Sequence, residues 1–266
     1  MLISYSDGAA LLSGVLVGFV LGLIGGGGSV FATPLLVYFV GVRDPHVAIG
    51  TGATAVAVNA LFNLFGHARS GHVKWPCAVV FAASGVLGAV IGSSLGKVFD
   101  GQKLLLLFGA LMLVVAIQMA FKRPAQTNMD VDMTSVNARA MVPSLLFFGV
   151  SVGVLAGFFG IGGGFLVVPG ILAATGMPMI SAIGSSLVSV TAFGAATAAN
   201  YAVSGLVDWR VAALLLTGGV VGGTFGGMLA QRIAVRKQTL TRIFAALVAG
   251  VGAYVIYRGA LVLIRP

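Results

Sequence analysis

Two glycine clusters, Gly25-Gly26-Gly27-Gly28-Ser29 and Gly160-Ile161-Gly162-Gly163-Gly164, lie inside long apolar runs, and each is followed by a proline, Pro34 or Pro169. Glycine costs a helix interior roughly 1 kcal/mol relative to alanine, so adjacent glycines predict a break in each run. Non-helical backbone at membrane depth survives only where protein buries it or where it lines a cavity. The N–H groups freed at the start of a following half-helix carry partial positive charge, which suits an anion. A phosphate-cradling loop is excluded, because no lysine follows the glycines. Glycine in membrane helices more often serves close packing, but duplication together with the proline favours a functional break.

Polar residues follow at matching places. Thr51 in Gly50-Thr51-Gly52 corresponds to Ser185 and Ser186 in Gly184-Ser185-Ser186. These hydroxyls can donate to a substrate oxygen, or bond back to the preceding helical turn. Asn59 and Asn63 share one helix face by their spacing, and Asn200 lies near the end of the matching run. Hydrogen bonding between helices competes there with ligand contact. His67, Arg69 and His72 cluster beside Trp75, and Trp209-Arg210 form a similar edge, which reads as an interfacial loop with an aromatic anchor.

What is missing narrows the chemistry. The chain has six aspartates and no glutamate, and Asp7, Asp44, Asp100 and Asp208 stand at the edges of apolar runs while Asp130 and Asp132 lie in a polar linker. Cations crossing membranes are usually held on intramembrane carboxylates, so the polar set points to a small anionic substrate. The single Cys77 excludes an intrachain disulfide and a multi-cysteine metal site. No catalytic triad, HExxH, CxxC or carboxylate pair is visible, so no catalytic residue, metal or cofactor is assigned and an enzyme is not expected.

The elements that must position these residues are membrane helices. Of 266 residues, 59% are hydrophobic and 8% charged, with a mean hydropathy of +1.09. An ordinary soluble domain is far more polar. Eight apolar runs, at about 9–41, 46–66, 73–98, 103–121, 142–175, 181–203, 209–231 and 239–264, each reach the roughly 20 residues needed to cross a bilayer. No basic residue precedes the first run, so 9–24 is read as a retained helix rather than a cleaved leader. The 15 Lys and Arg mostly lie between runs, where they orient helices, so a basic surface for nucleic acid is excluded.

The chain divides into a first repeat (1–121), a polar linker (122–141) and a second repeat (142–266). Gly18, Gly22, Gly25, Gly27, Gly28 and Pro34 recur 135 residues later as Gly153, Gly157, Gly160, Gly162, Gly163 and Pro169. At an offset of 134, Ser70-Gly-His-Val-Lys-Trp75 lies over Ser204-Gly-Leu-Val-Asp-Trp209, and Gly85, Gly88 and Gly92 lie over Gly219, Gly222 and Gly226. The expected fold is therefore an all-α polytopic membrane protein of two homologous repeats, each opening with a glycine-broken helix, with 8 to 10 membrane helices. If the breaks reverse the chain, the repeats are inverted. Lys and Arg then divide six (Arg43, Lys97, Lys103, Arg210, Arg258, Arg265) against nine (Arg69, Lys74, Lys122, Arg123, Arg139, Arg232, Arg236, Lys237, Arg242) between the faces. A kink without reversal gives seven against eight, which carries no signal. The charge count thus favours inversion, with both termini outside.

With GLIGGGGSVFATPLL (22–36), AIGTGAT (48–54), SGHVKW (70–75), GFFGIGGGFLVVPGIL (157–172), AIGSSL (182–187) and SGLVDW (204–209) on the page, the chain resembles the TauE/SafE family over nearly its whole length. The resemblance implies a multi-pass carrier of the bacterial inner membrane that exports sulfite, sulfonates or related anions. The substrate-binding residues expected are Gly25, Gly26, Gly27, Gly28, Ser29, Gly160, Gly162, Gly163 and Gly164, then Thr51, Asn59, Ser185, Ser186 and Asn200. The partners expected are a small anion and the lipid bilayer, with homo-oligomerisation left open. A carrier of another anion such as a carboxylate, or an accessory subunit without transport of its own, are the competing readings.

Overall fold

The computed structural model describes residues 5–24, 26–121, 135–233 and 237–264. Gly25 and most of the polar linker lie outside the described residues. Every element among them is helical: α1 (Tyr5–Ile24), a 3-10 segment (Gly26–Phe31), α2 (Ala32–Leu35), a π-helical turn (Leu36–Val40), α3 (Pro45–Arg69), α4 (Trp75–Val98), α5 (Gly101–Phe121), α6 (Ser135–Phe159), α7 (Gly164–Thr175), α8 (Met179–Val203), α9 (Trp209–Ile233) and α10 (Lys237–Ile264). Among the described residues seven helices are long and apolar enough to cross a bilayer, and Gly27–Val40, Gly164–Thr175 and Ala245–Leu261 are shorter apolar stretches. Leu87, Phe147 and Phe225 are exposed, as residues facing hydrocarbon would be. The chain is a multi-pass membrane protein.

Helix α6 begins at Ser135, inside the segment read as linker. Its first residues are polar, and the apolar stretch long enough to span begins only at Met141. Hydropathy marks a bilayer crossing and not the helix that contains it.

The aspartates at the run edges have local work. Asp44 caps α3, its carboxylate accepting the His46 N–H at 2.8 Å with Pro45 next in the chain. Asp100 accepts the Lys103 N–H at 3.0 Å and Asp208 accepts the Val211 N–H at 3.0 Å, each at a helix start. Asp7 pairs with Arg210 at 2.7 Å.

Neighbouring helices meet through glycine. Helix α1 packs on α9 and α6 on α4, while α3 packs on α8 and α5 on α10. Along the first pair, Gly14, Gly18 and Gly22 lie against the backbone of Leu215, Gly219 and Gly223. Along the second, Gly149, Gly153 and Gly157 lie against Phe81, Gly85 and Ala89. Partner numbers rise together in both series, so each pair runs parallel. A Cβ at Gly18 or Gly153 would overlap the facing carbonyl; here glycine is required by close approach.

These contacts set the direction of every element. Gly101, at the start of α5, meets Pro45 and His46 at the start of α3. The last turn of α4 meets α8, where Lys97 Nζ donates to Asn200 Oδ1 at 2.8 Å and Ser204 Oγ at 2.8 Å. Helices α1, α3, α5 and α9 therefore start at one end of the bundle, here the Pro45 end. Helices α4, α6, α8 and α10 start at the other, the Lys74 end.

Candidate functional site

Both glycine clusters break the helix, by different backbone means. Helix α6 ends at Phe159, and the chain turns through Gly160, Gly162 and Gly163 at φ of 65°, 60° and 79° before α7 starts at Gly164. Only glycine takes that left-handed region at no steric cost. In the first half α1 ends at Ile24, and Gly26–Phe31 follow as a 3-10 segment. There the requirement is closeness, because Gly28 lies directly on the backbone of Val17 and Leu21.

Each break reverses the chain. Gly163 meets Ala156, and seven residues on Gly170 meets Val152, so α7 runs back along α6. The first-half segment likewise packs back on α1. The two returning segments also meet each other, the 3-10 segment packing on α7. Gly162 faces Val56 of α3 and Gly194 of α8, and Gly52 of α3 faces Ala32 and Leu36. The breaks therefore lie together between α3 and α8. Gly27, Gly28, Ser29, Gly160, Gly162, Gly163 and Gly164 are all buried.

The two breaks differ electrostatically. Helix α7 has twelve residues, and Gly163 at its N-cap supplies no side chain to the first amides. Its positive end therefore points into the centre unshielded by a capping group. The first half has no counterpart, since α2 spans four residues and continues from helical turns on both sides. The expectation of a half-helix N-terminus at each break is met only by the second.

The remaining sequence candidates separate into four groups. Asn59 is 1% exposed, and its Nδ2 and Oδ1 are both buried without a hydrogen-bond partner. Its amide rests in the gap left by the missing side chain of Gly219. Asn63 does not bond across helices either; its Nδ2 donates back to the Asn59 carbonyl at 2.8 Å. Thr51 and Ser185 form the second group. The Thr51 hydroxyl accepts the Asp208 N–H at 2.9 Å, and the Ser185 hydroxyl accepts the Lys74 N–H at 2.9 Å. Ser186 bonds back to the Ile183 carbonyl at 2.7 Å.

Asn200 is placed apart from the centre, at the Pro45 end. Its Nδ2 donates to Ser93 Oγ at 2.6 Å and Ser94 Oγ at 3.0 Å, and its carbonyl and Oδ1 both accept from Lys97. Tyr201 beside it is fully buried, near the His46 ring and the Lys97 ammonium. The interfacial anchors lie where their type suggests, Trp75 and Trp209 both being exposed. His67 and His72 face each other with ring centroids 6.0 Å apart.

Several buried hydroxyls were not singled out from sequence. Thr33, Ser189 and Thr197 are fully buried with no hydrogen-bond partner. Ser189 and Thr197 lie four residues either side of Phe193 on α8, a spacing legible once α8 is taken as a helix.

A glycine-broken pair of hairpins meeting between two long helices accompanies a family match over most of the chain. The model of the family described as "Sulfite exporter TauE/SafE" matches residues 10–255. The chain belongs to the TauE/SafE family. A probable membrane transporter protein of Xylella fastidiosa (strain Temecula1 / ATCC 700964) is 50% identical, over 92% of this chain and 93% of its own length. The probable membrane transporter protein YunE of Bacillus subtilis (strain 168) is 25% identical over 92% of this chain and 96% of its own. The probable membrane transporter protein MJ0441 of Methanocaldococcus jannaschii is 30% identical over 65% of each. No solved structure matches the chain. TauE/SafE membership thus reaches across both glycine breaks and both SGxVxW turns.

Proposed function

We propose that this TauE/SafE protein is a secondary carrier that exports small sulfur-containing anions such as sulfite, by alternating access. The observation that carries the reading is Asn59. Its carboxamide is buried on α3, one turn past the Val56 that faces Gly162 of the second break, with neither polar atom bonded, and a native protein rarely leaves such a group without a reason. The amide N–H2 can donate to an oxyanion, and the open N-terminus of α7 attracts the same charge. The carboxylates among the described residues lie at helix ends, so none faces the anion at depth. The description of the matching family supports sulfite as the first substrate to try.

Substrate would be held between the breaks by Gly26–Ser29, the Gly160–Gly164 turn and Asn59. The halves act as inverted repeats about this centre. That reading draws on α1 and α6 starting at opposite ends, and on the glycine contacts of α1 with α9 recurring between α6 and α4. The Lys74 end, richer in Lys and Arg, faces the cytoplasm of the bacterial inner membrane.

Flux of radiolabelled sulfite into proteoliposomes tests the proposal, with sulfate, thiosulfate, an organosulfonate and acetate as competitors. Saturable flux inhibited by the sulfur anions, and lost in Asn59→Asp, supports the substrate class and the site. Flux inhibited by acetate alone shifts the assignment to carboxylates. No protein-dependent flux from folded protein under any gradient counts against sulfite and shifts the assignment to a carrier of another anion or to an accessory subunit.

A further inference from the structure

The centre is closed at each end by one arrangement made twice. At the Pro45 end, Thr51 on α3 accepts the backbone N–H of Asp208, and Gly50 lets α3 lie on the Leu206 carbonyl. At the Lys74 end, Ser185 on α8 accepts the backbone N–H of Lys74, and Gly184 lets α8 lie on the His72 carbonyl. All four partners keep the same spacing, Ser185 being 134 residues after Thr51 and Asp208 being 134 after Lys74. In both cases a helix start in one half is tied to the SGxVxW turn of the other half.

We infer that Thr51 and Ser185 are positioning residues, the catches of two opposed gates, rather than substrate ligands. The inference rests on the alternating-access reading above and assigns its moving parts. The long glycine contacts of α1 with α9 and of α6 with α4 stay closed, so opening is local: at the Pro45 end the α3 start parts from the turn before α9, and at the Lys74 end the α8 start parts from the turn before α4. A catch that joins the halves at each end must then open singly and in turn. A neutral hydroxyl-to-amide bond suits the task, because its net contribution is small enough for thermal motion to break it. The missing Cβ of Gly50 and Gly184 brings the helix close enough for the catch to reach. Both hydroxyls are fully buried, so water enters the centre at that end only after the catch releases.

The test reads which end opens, without needing a substrate. In a Cys77→Ala background, Ser189→Cys places a reporter thiol on α8, where the native hydroxyl is buried and has no partner. Membrane-impermeant maleimide is applied to right-side-out and inverted vesicles. Thr51→Ala is expected to raise the labelling rate from the Pro45 face alone, by about three- to ten-fold for one lost hydrogen bond. Ser185→Ala is expected to do so from the Lys74 face alone. Thr51→Ser and Ser185→Thr keep the acceptor oxygen, so they restore the parent rate and report that the position tolerates change. A rise from both faces alike, or no rise with either alanine variant, overturns the inference. Sided labelling supports the catches whatever anion is carried. Absent sulfite flux from the parent protein counts against the sulfite assignment alone.

Discussion

Replacing Asn59 by leucine should make the protein more stable and less able to transport. Leucine has the same branched shape, so it fits the gap over Gly219 with a repacking cost below about 1.5 kcal/mol. It also removes the two polar atoms that are buried without partners. Leaving such an atom unpaired costs about 1–3 kcal/mol, so the net gain on substitution is about 2 kcal/mol. A gain of that size raises the melting midpoint by about 4–8 °C, on the scaling for a domain of this size. The assay is the thermal loss of the monodisperse peak in detergent, with and without saturating sulfite. Sulfite should raise the midpoint of the parent protein, because a ligand stabilises the state that binds it. It should leave Asn59→Leu unmoved, and sulfite flux should fall at least about ten-fold, the factor for 1.4 kcal/mol. A variant that melts below the parent would show that Asn59 makes a structural hydrogen bond, and the reasoning from its unpaired amide would fail. A more stable variant with full flux would remove Asn59 from the binding site.

Other perturbations separate packing from chemistry. Gly219→Val should abolish folded yield, because its Cβ overlaps the Asn59 amide, while Gly227→Ala, inside α9 with open space around it, should raise the melting midpoint by about 2–4 °C. Gly160→Ala meets both a left-handed φ and the Ile49 side chain, and should cost about 2 kcal/mol or more; Ile49→Ala in the same chain should recover part of the loss of folded protein. Lys97→Met removes the ammonium that joins α4 to Asn200 and Ser204, and a double-mutant cycle with Asn200→Leu should show a coupling of about 1 kcal/mol by thermal melt. Phe193→Ala should cost about 3–5 kcal/mol, since the ring lies fully buried on Gly85 and stacks with Phe81; the readout is folded yield against temperature.

The fold class and the helix breaks were legible in the sequence because they depend on composition and local backbone cost. Few charges and long apolar runs require lipid, and adjacent glycines cannot continue a helix cheaply wherever they are placed. The 135- and 134-residue spacings marked which residues correspond, and the family motifs marked which kind of protein contains them. What the glycines do was only partly legible. Gly18 and Gly28 are held by close approach of backbones and Gly160 by a left-handed turn, and composition does not distinguish these causes.

The roles of Thr51, Ser185 and Asn200 depended on tertiary structure. A hydroxyl in a membrane helix can bond to its own turn, to a ligand or to a distant segment, and local sequence favours none of these. The choice fell to the SGxVxW turns, which pack across the halves more than a hundred residues away and present a backbone N–H to each hydroxyl. Asn59 and Phe193 occupy corresponding positions, yet one is a polar group without a partner and the other a stacked ring. Sequence alone determined that the chain crosses a membrane and breaks its helices twice. Which polar atoms bond across helices and which are left without a partner was decided by packing, because hydrogen-bond satisfaction belongs to contacts between helices and not to any one of them.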